Sequence, residues 1–316
     1  MNYKIFLTEV KDKILDYMPI DYANAEVRIE NTIKNNNVIR QGICIANEGN
    51  ILSPKVYLED FYKSYTQGTS IEDVCKQIAN EYIKRTIDGK NFNVSDLTDF
   101  EKIKQNITTK IVSAKSNKKL MLDRPSKRLD DLAIFYQIEI PGMKDGKAFI
   151  PVTNQILTKW GISTNELHKI AIMNTERISP ATLFTMESLL YGTEKNLLNT
   201  TDNYEEHTMF VLTNEDSFYG ANVLANKDIL NKVSNVINDS YYVIPSSVHE
   251  VFIVPKEVFK EMKITTKELG AMVRNVNIDQ VMKEERLSDH VYVFDKDRKN
   301  LETVKDSKNR ENNLER

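Results

Sequence analysis

A chain of 316 residues holds one large domain or two ordinary ones, and 41% hydrophobic with 28% charged residues is the make-up of a soluble globular protein. A net charge of −3 argues against a dedicated nucleic-acid binder, which needs a large basic excess to offset phosphates, but leaves room for a local basic patch. Two cysteines, Cys44 and Cys75, are too few for a disulfide scaffold. The opening MNYKIFLTEVKDKIL has no signal-peptide core and no apolar run reaches the ~18 residues of a membrane span, so the expectation is a cytoplasmic protein with no membrane partner.

In chain order, Tyr3, Phe6, Leu7, Val10, Ile14 and Tyr17 fall at helical spacing, and Pro19 ends that helix. Residues 25–46 change to a period of two around the turn cluster Asn35-Asn36-Asn37, which predicts a β-hairpin containing Cys44. Lys55 to Leu58 suits a short strand or the start of a helix. Tyr57, Phe61, Tyr62 and Tyr65 follow at near-helical spacing, as core or as exposed surface. Thr69 and Glu72 fit a capping box before Ile71, Val74, Cys75, Ile78 and Tyr82, which places Cys75 in a helix core. Residues 86–97 read as a connection. The domains predicted are 1–97, a helix/hairpin/helix subdomain, and 98–297, a larger α+β domain, with 298–316 a charged, disordered tail.

Thr98 and Glu101 suggest a second capping box. Residues 109–152 read as an antiparallel meander with a turn at Lys144-Asp145-Gly146. Helices follow over 153–160, ending at Trp160-Gly161 with Trp160 a core anchor, after Ser163 with Glu166 at the third position, and after Ser179-Pro180. Residues 192–206 read as a loop. Then come a strand at 209–213, a helix near 229–237, strands at 241–244 and 248–254, a helix capped by Thr265 and Glu268, and a strand at 291–294. Strict βαβ alternation is absent, so the fold class is α+β, with antiparallel or mixed sheets, packed amphipathic helices and two subdomains.

The segments RLDDLAIFYQIEI, KWGISTNELHKIAIMNT, MFVLTNEDSFYGANVL, YYVIPSSVHEVFIVP and LSDHVYVFD, in that order, resemble a family of low-GC Gram-positive bacteria catalogued as domain of unknown function number 5688. The resemblance covers roughly residues 3 to 297. Abundant Lys, Asn and Ile agree with an AT-rich bacterial genome. The Trp160 helix, FVLTNED and YVIPSSVHEVFIVP also resemble, more remotely, the YtpQ-like family. The first resemblance implies an accessory role near mobile elements; neither implies a reaction.

The densest chemistry is Ser246-Ser247-Val248-His249-Glu250. If a strand begins at Val248, then Ser247 and His249 share one face and Glu250 the other. That leaves Ser247 and His249 as a nucleophile–base pair, with Ser246 a second nucleophile and Asp239, Asp289 or Glu250 as the orienting acid. The alternative is a turn whose hydroxyls satisfy the backbone. His290 with Asp289, beside His249 with Glu250, would make a histidine–carboxylate cluster if their strands are neighbours, but no histidine pairs with another at i,i+4 and HExxH is missing, so no metal is expected. Neither Walker A nor GxGxxG occurs, and no cofactor is expected. Lys118, Lys119, Arg124 and Arg128, in the basic run Lys115 to Arg128, are candidate anion contacts; Arg124 and Arg128 form an i,i+4 clamp only if helical, which Pro125 opposes, and Arg128 has Asp130 and Asp131 as alternative partners. Three functions remain: a non-catalytic binding or regulatory protein with a protein partner, a hydrolase using Ser247 and His249, and a nucleic-acid-associated protein using the basic run.

Overall fold

The computed structural model describes residues 1–46, 53–86, 94–140, 147–193, 195–200 and 209–304. It is α+β, with antiparallel sheets, and divides into two units: residues 1–106 with 138–150, and residues 107–137 with 151–316. The division falls after Asn106 rather than after residue 97, and the first unit takes a later segment that linear reading of the chain assigns elsewhere.

In the first unit, α1 (Tyr3–Lys13) is capped by Asn2, whose side chain accepts the Ile5 N–H. Strands β1 (Glu26–Ile33) and β2 (Ile39–Ala46) pair antiparallel around Asn35–Asn37, and β3 (Val56–Tyr57) adds to β2. Asn36 and Asn37 both have positive φ, which asparagine tolerates better than most side chains. Helices α2 (Glu59–Thr66), α3 (Ile71–Arg85) and the short α4 (Phe100–Ile103) complete the unit. Phe6, Val10, Ile14, Ile43, Ile45, Val74, Cys75 and Ile78 form its core. Tyr62 and Tyr65 pack on Phe6 with ring centroids 5.1 and 5.6 Å away, so they are core-lining rather than surface residues. Cys75 is buried, and burial pushes its thiol up to about 11, which makes it an inert packing residue.

In the second unit, strands β4 (Ile107–Ser113), β5 (Lys127–Leu129) and the start of β6 (Leu132–Ile140) form one sheet in the order β4-β6-β5, and helix α5 (Lys118–Asp123) lies on it, its Leu120 and Met121 packed against Val112, Ala114, Ala133 and Phe135. Strand β7 (Ala148–Pro151), which with the end of β6 falls mostly in the first unit, pairs with β6; the turn predicted at 144–146 lies outside the described residues. Helix α6 (Asn154–Trp160) is capped by Thr153 and stopped by left-handed Gly161, and Trp160 is buried. Helix α7 (Thr164–Ile178) is capped by Ser163 and is tied to β4: the Thr109 N–H donates to Thr175 Oγ1 at 2.9 Å, and Asn174 Nδ2 donates to the Ile107 carbonyl at 3.1 Å.

Next come β8 (Ala181–Thr185), α8 (Met186–Tyr191), β9 (Phe210–Asn214), α9 (Lys227–Ile237), β10 (Tyr241–Pro245), β11 (Val251–Pro255), α10 (Lys256–Glu261), α11 (Thr266–Asp279), β12 (Tyr292–Asp295) and β13 (Asn300–Thr303). The strands make a six-stranded antiparallel sheet in the order β13-β12-β10-β11-β9-β8. Strand alternation divides β10 between two layers. Tyr241 stacks on Phe294 and donates its hydroxyl to the Leu230 carbonyl of α9, while Tyr242 and Ile244 pack with Phe259 of α10 and Leu269 and Val273 of α11.

Several local readings are corrected. Ser70, with Asp73, caps α3 in place of Thr69 with Glu72, and Asp99 caps α4 in place of Thr98. Ser179-Pro180 starts no helix: Ser179 ends α7, and the β-branched stretch beyond Pro180 is drafted into the sheet as β8. The charged end begins as a strand, because Leu301 pairs opposite Phe294 and Thr303 bonds Asp130; residues beyond 304 lie outside the described part. Of the loop read at 192–206, Leu197–Asn199 is a 3₁₀ turn and 194 and 201–206 lie outside the described residues, as does His207. So do 87–93 of the predicted 86–97 connection. Among the described residues no helix is long and apolar enough to cross a membrane.

Candidate functional site

The strand expected from Val248 begins at Val251, because Pro245 and Val251 close the β10–β11 pairing and residues 246–250 become the hairpin loop. Proline has no N–H to extend the ladder at Pro245, and the two serines supply local acceptors and donors in its place. The pleat argument that put Ser247 and His249 on one face therefore does not apply. Instead the Ser247 N–H donates to the Glu250 carbonyl at 3.2 Å, Ser247 Oγ accepts the His249 N–H at 2.9 Å, and Ser246 Oγ donates to Glu250 Oε1 at 3.2 Å. The loop is held from outside as well: the Val248 N–H donates to the Glu285 carbonyl, and Thr213 Oγ1 donates to the His249 carbonyl at 2.8 Å.

A second turn, Asn214 to Gly220, supplies the surroundings of the His249 ring. Asn214 brackets it by accepting the Phe218 N–H and donating to the Phe218 carbonyl. Ser217 and Tyr219 both have left-handed φ, 51° and 53°. For a bulky aromatic residue this is a true outlier and costs about 1–3 kcal/mol. The conformation points the Tyr219 N–H at His249 Nδ1, 3.2 Å away, and lays the Tyr219 ring parallel to the imidazole at 9°, centroids 5.6 Å apart. Phe218 adds a tilted contact at 5.3 Å, and Lys110 of β4 sets its Nζ 3.9 Å over the Tyr219 ring. A Cβ on Gly220 would overlap Thr213 Oγ1 and the His249 carbonyl, so only glycine lets the two turns approach.

These contacts define the imidazole chemically. A backbone N–H is an obligate donor, so Nδ1 accepts and the neutral ring carries its proton on Nε2. Nε2 faces Glu285 Oε1 at 3.8 Å. The carboxylate at His249 is thus Glu285, while Glu250 turns back to Ser246 and Asp289 accepts from Asn277 Nδ2 at 2.8 Å. Asp239 accepts the Ser240 N–H. None of these acids orients the ring as a serine hydrolase would require.

His290 finds its acid far away in sequence. Asp131, at the tip of the β5–β6 hairpin, accepts from His290 Nδ1 at 2.8 Å, from Ser288 Oγ at 3.0 Å and from the Tyr292 hydroxyl. Burial and the Asp131 carboxylate push the Tyr292 hydroxyl well above its ordinary range. Asp130 accepts the N–H and hydroxyl of Thr303, so the Asp130-Asp131 turn pins β12 and β13. The partnerships of His290 with Asp131 and of His249 with Glu285 escaped the sequence reading, which weighed Asp131 only beside Arg128, because both are long-range; the paired aspartates between two apolar runs are the one local signal. The histidine–carboxylate cluster drawn from His249 and His290 does not assemble, and among the described residues no group of three or more His, Cys, Asp or Glu is placed to hold a metal.

Helix α5 ends at Asp123, and Arg124 is extended before Pro125, so Arg124 and Arg128 make no helical clamp. The Arg124 guanidinium sits 5.7 Å from the Phe135 ring centroid, and its Nε is buried with no hydrogen-bond partner among the described residues. Lys118, Lys119 and Arg128 are exposed.

Fold and site together define an α+β protein built on antiparallel sheets, with a histidine-bearing turn locked at one hairpin end. The chain matches the model of a Family of unknown function (DUF5688) across residues 3–296, and it belongs to that family. No curated protein and no solved structure matches it.

Proposed function

We propose that the protein is a non-catalytic binding or regulatory protein, and that its Ser-Ser-Val-His-Glu turn is a scaffold rather than an active centre. One observation carries this reading: His249 Nδ1 accepts the Tyr219 N–H while Ser247 Oγ accepts the His249 N–H, so the serine and the ring are bonded to backbone rather than to each other. A nucleophile–base pair needs the hydroxyl to donate to the imidazole. The accessory role near mobile elements and the cytoplasmic location belong to the same reading and rest on the family resemblance and on composition.

The test is labelling with a fluorophosphonate probe, which reacts with base-activated serines. The wild-type chain is expected to stay unlabelled at concentrations that saturate a serine hydrolase control. Labelling that disappears in Ser247→Ala or Ser246→Ala would establish a hydrolase instead.

A further inference from the structure

The strongest charge feature of the second unit lies outside the histidine turn. Residues 115–128 carry six cations, Lys115, Lys118, Lys119, Arg124, Lys127 and Arg128, against one acid, Asp123, in a chain with three more acids than bases overall. Among the described residues none of the six makes an ion pair or a side-chain hydrogen bond. Elsewhere a number of surface cations are matched, Lys13 with Glu9, Lys76 with Asp73, Arg85 with Glu81, Lys102 with Asp96 and Lys260 with Glu257, whereas this run has six cations in sequence and no pair among them. The nearest acids to the run are engaged, Asp130 with Thr303 and Asp131 with Ser288, His290 and Tyr292.

The register sorts the six by face. Arg128 pairs opposite Ala133, which lies in the cluster under α5, so Arg128 points to the α5 side of the sheet. Lys127 pairs opposite Ile134 and points to the other side. Lys118 and Lys119 are on α5 itself, and Arg124 packs on Phe135 of the same cluster. Arg124 is the informative member. Burial lowers its pKa from the ordinary arginine value, a guanidinium stays charged regardless, and its buried Nε has no acceptor. The neighbouring Asp123 carboxylate offsets only part of that burial, and a half-buried guanidinium with an unsatisfied Nε is costly unless an anion reaches it.

We infer that the α5 face of this sheet, through Lys118, Lys119, Arg124 and Arg128, binds the phosphodiester backbone of a nucleic-acid strand without reading its sequence. The inference rests on the binding-protein reading above and names a partner class for it. The four charges lie on successive elements, along α5, just beyond its end and in β5, which suits a chain of spaced charges better than a single anion. Phe135 is buried beneath Arg124 and offers no open ring to a base, so contact is with phosphate and not with base edges.

The experiment is fluorescence anisotropy of the full chain with a labelled mixed-sequence single strand, titrated with salt. Four phosphate contacts on a single strand give a log–log salt slope of about −3, and each contact removed lowers it by about 0.7. Arg124→Gln and Arg128→Ala are each expected to weaken binding several-fold and flatten the slope by that step, with unchanged circular dichroism; Lys260→Ala, from a matched pair, should leave both untouched. Scrambling the sequence should not change affinity. No binding at about 25 mM salt, a slope indifferent to the substitutions, or equal binding to poly-glutamate would overturn the inference. Such a result leaves the non-catalytic reading standing, since that reading is tested at the serines and at His249 and not by nucleic-acid binding.

Discussion

At the scale of single residues, the strain at Tyr219 and the bareness of Gly220 are one device. Left-handed Tyr219 aims its N–H at His249, and Gly220 lets the carbonyl of His249 come close behind it. Gly220→Ala is expected to destabilise the protein by about 1–3 kcal/mol, because two of the three nearest atoms are backbone and do not swing aside. Urea denaturation reads this as a lower midpoint at unchanged slope; an unchanged midpoint would mean the turns can separate freely. The residues of this device were in view in the sequence, since Ser246, Ser247, His249 and Glu250 stand together and Phe218-Tyr219-Gly220 lies in a segment that carries the family resemblance. Their roles were not, because a positive φ at tyrosine has no composition signal and the decisive donor is a backbone N–H.

At the scale of elements, the capping signals of α7 and α11 read correctly: Ser163 accepts the Glu166 N–H, and α11 has both halves of its box. Thr265 accepts the Glu268 N–H at 3.2 Å while Glu268 accepts the Thr265 N–H at 2.7 Å, a complete capping box on α11. Thr265→Ala is expected to cost about 1 kcal/mol, seen as a drop in thermal midpoint. At Thr69-Ser70 and Thr98-Asp99 two candidate caps adjoin, and in both the structure uses the second, whereas at Ser163-Thr164 and Thr265-Thr266 the first caps. β8 was missed because Ser179-Pro180 is an equally good helix opening until β9 is available as a partner. Between α7 and β6, His168 Nδ1 meets the Tyr136 hydroxyl at 3.1 Å, and burial, with help from Lys127, lowers the His168 pKa from 6.5. The folded state therefore holds this proton less tightly than the unfolded chain, so stability falls as pH drops through about 6.5 and levels off below the folded value. His168→Gln should show a smaller loss of thermal midpoint between about pH 7.5 and pH 5.5 than wild type; an equal loss would place the pH sensitivity elsewhere.

At the scale of the whole molecule, the α+β class was legible because alternation and helical spacing rarely conflict in this chain; the large antiparallel sheet was legible only in part, since β10–β11 is a local hairpin but β10–β12, β9–β11 and β8–β9 join strands distant in sequence. The division into units was less so: residues 138–150 join the first unit through contacts that no linear boundary signal marks. The same limit applies to Asp131, which reaches β12 from a hairpin tip more than a hundred residues earlier. The second unit carries a locked histidine turn and a cationic α5 face, and it is the α5 face that we propose meets a partner. The claim that the turn is scaffold has one direct measurement, long-range proton–nitrogen correlation of the His249 imidazole at neutral pH. The account predicts a proton on Nε2 and an unprotonated Nδ1 that accepts from the Tyr219 backbone. A proton on Nδ1 with Nε2 unprotonated, the tautomer of a histidine poised to take a serine proton, would contradict it.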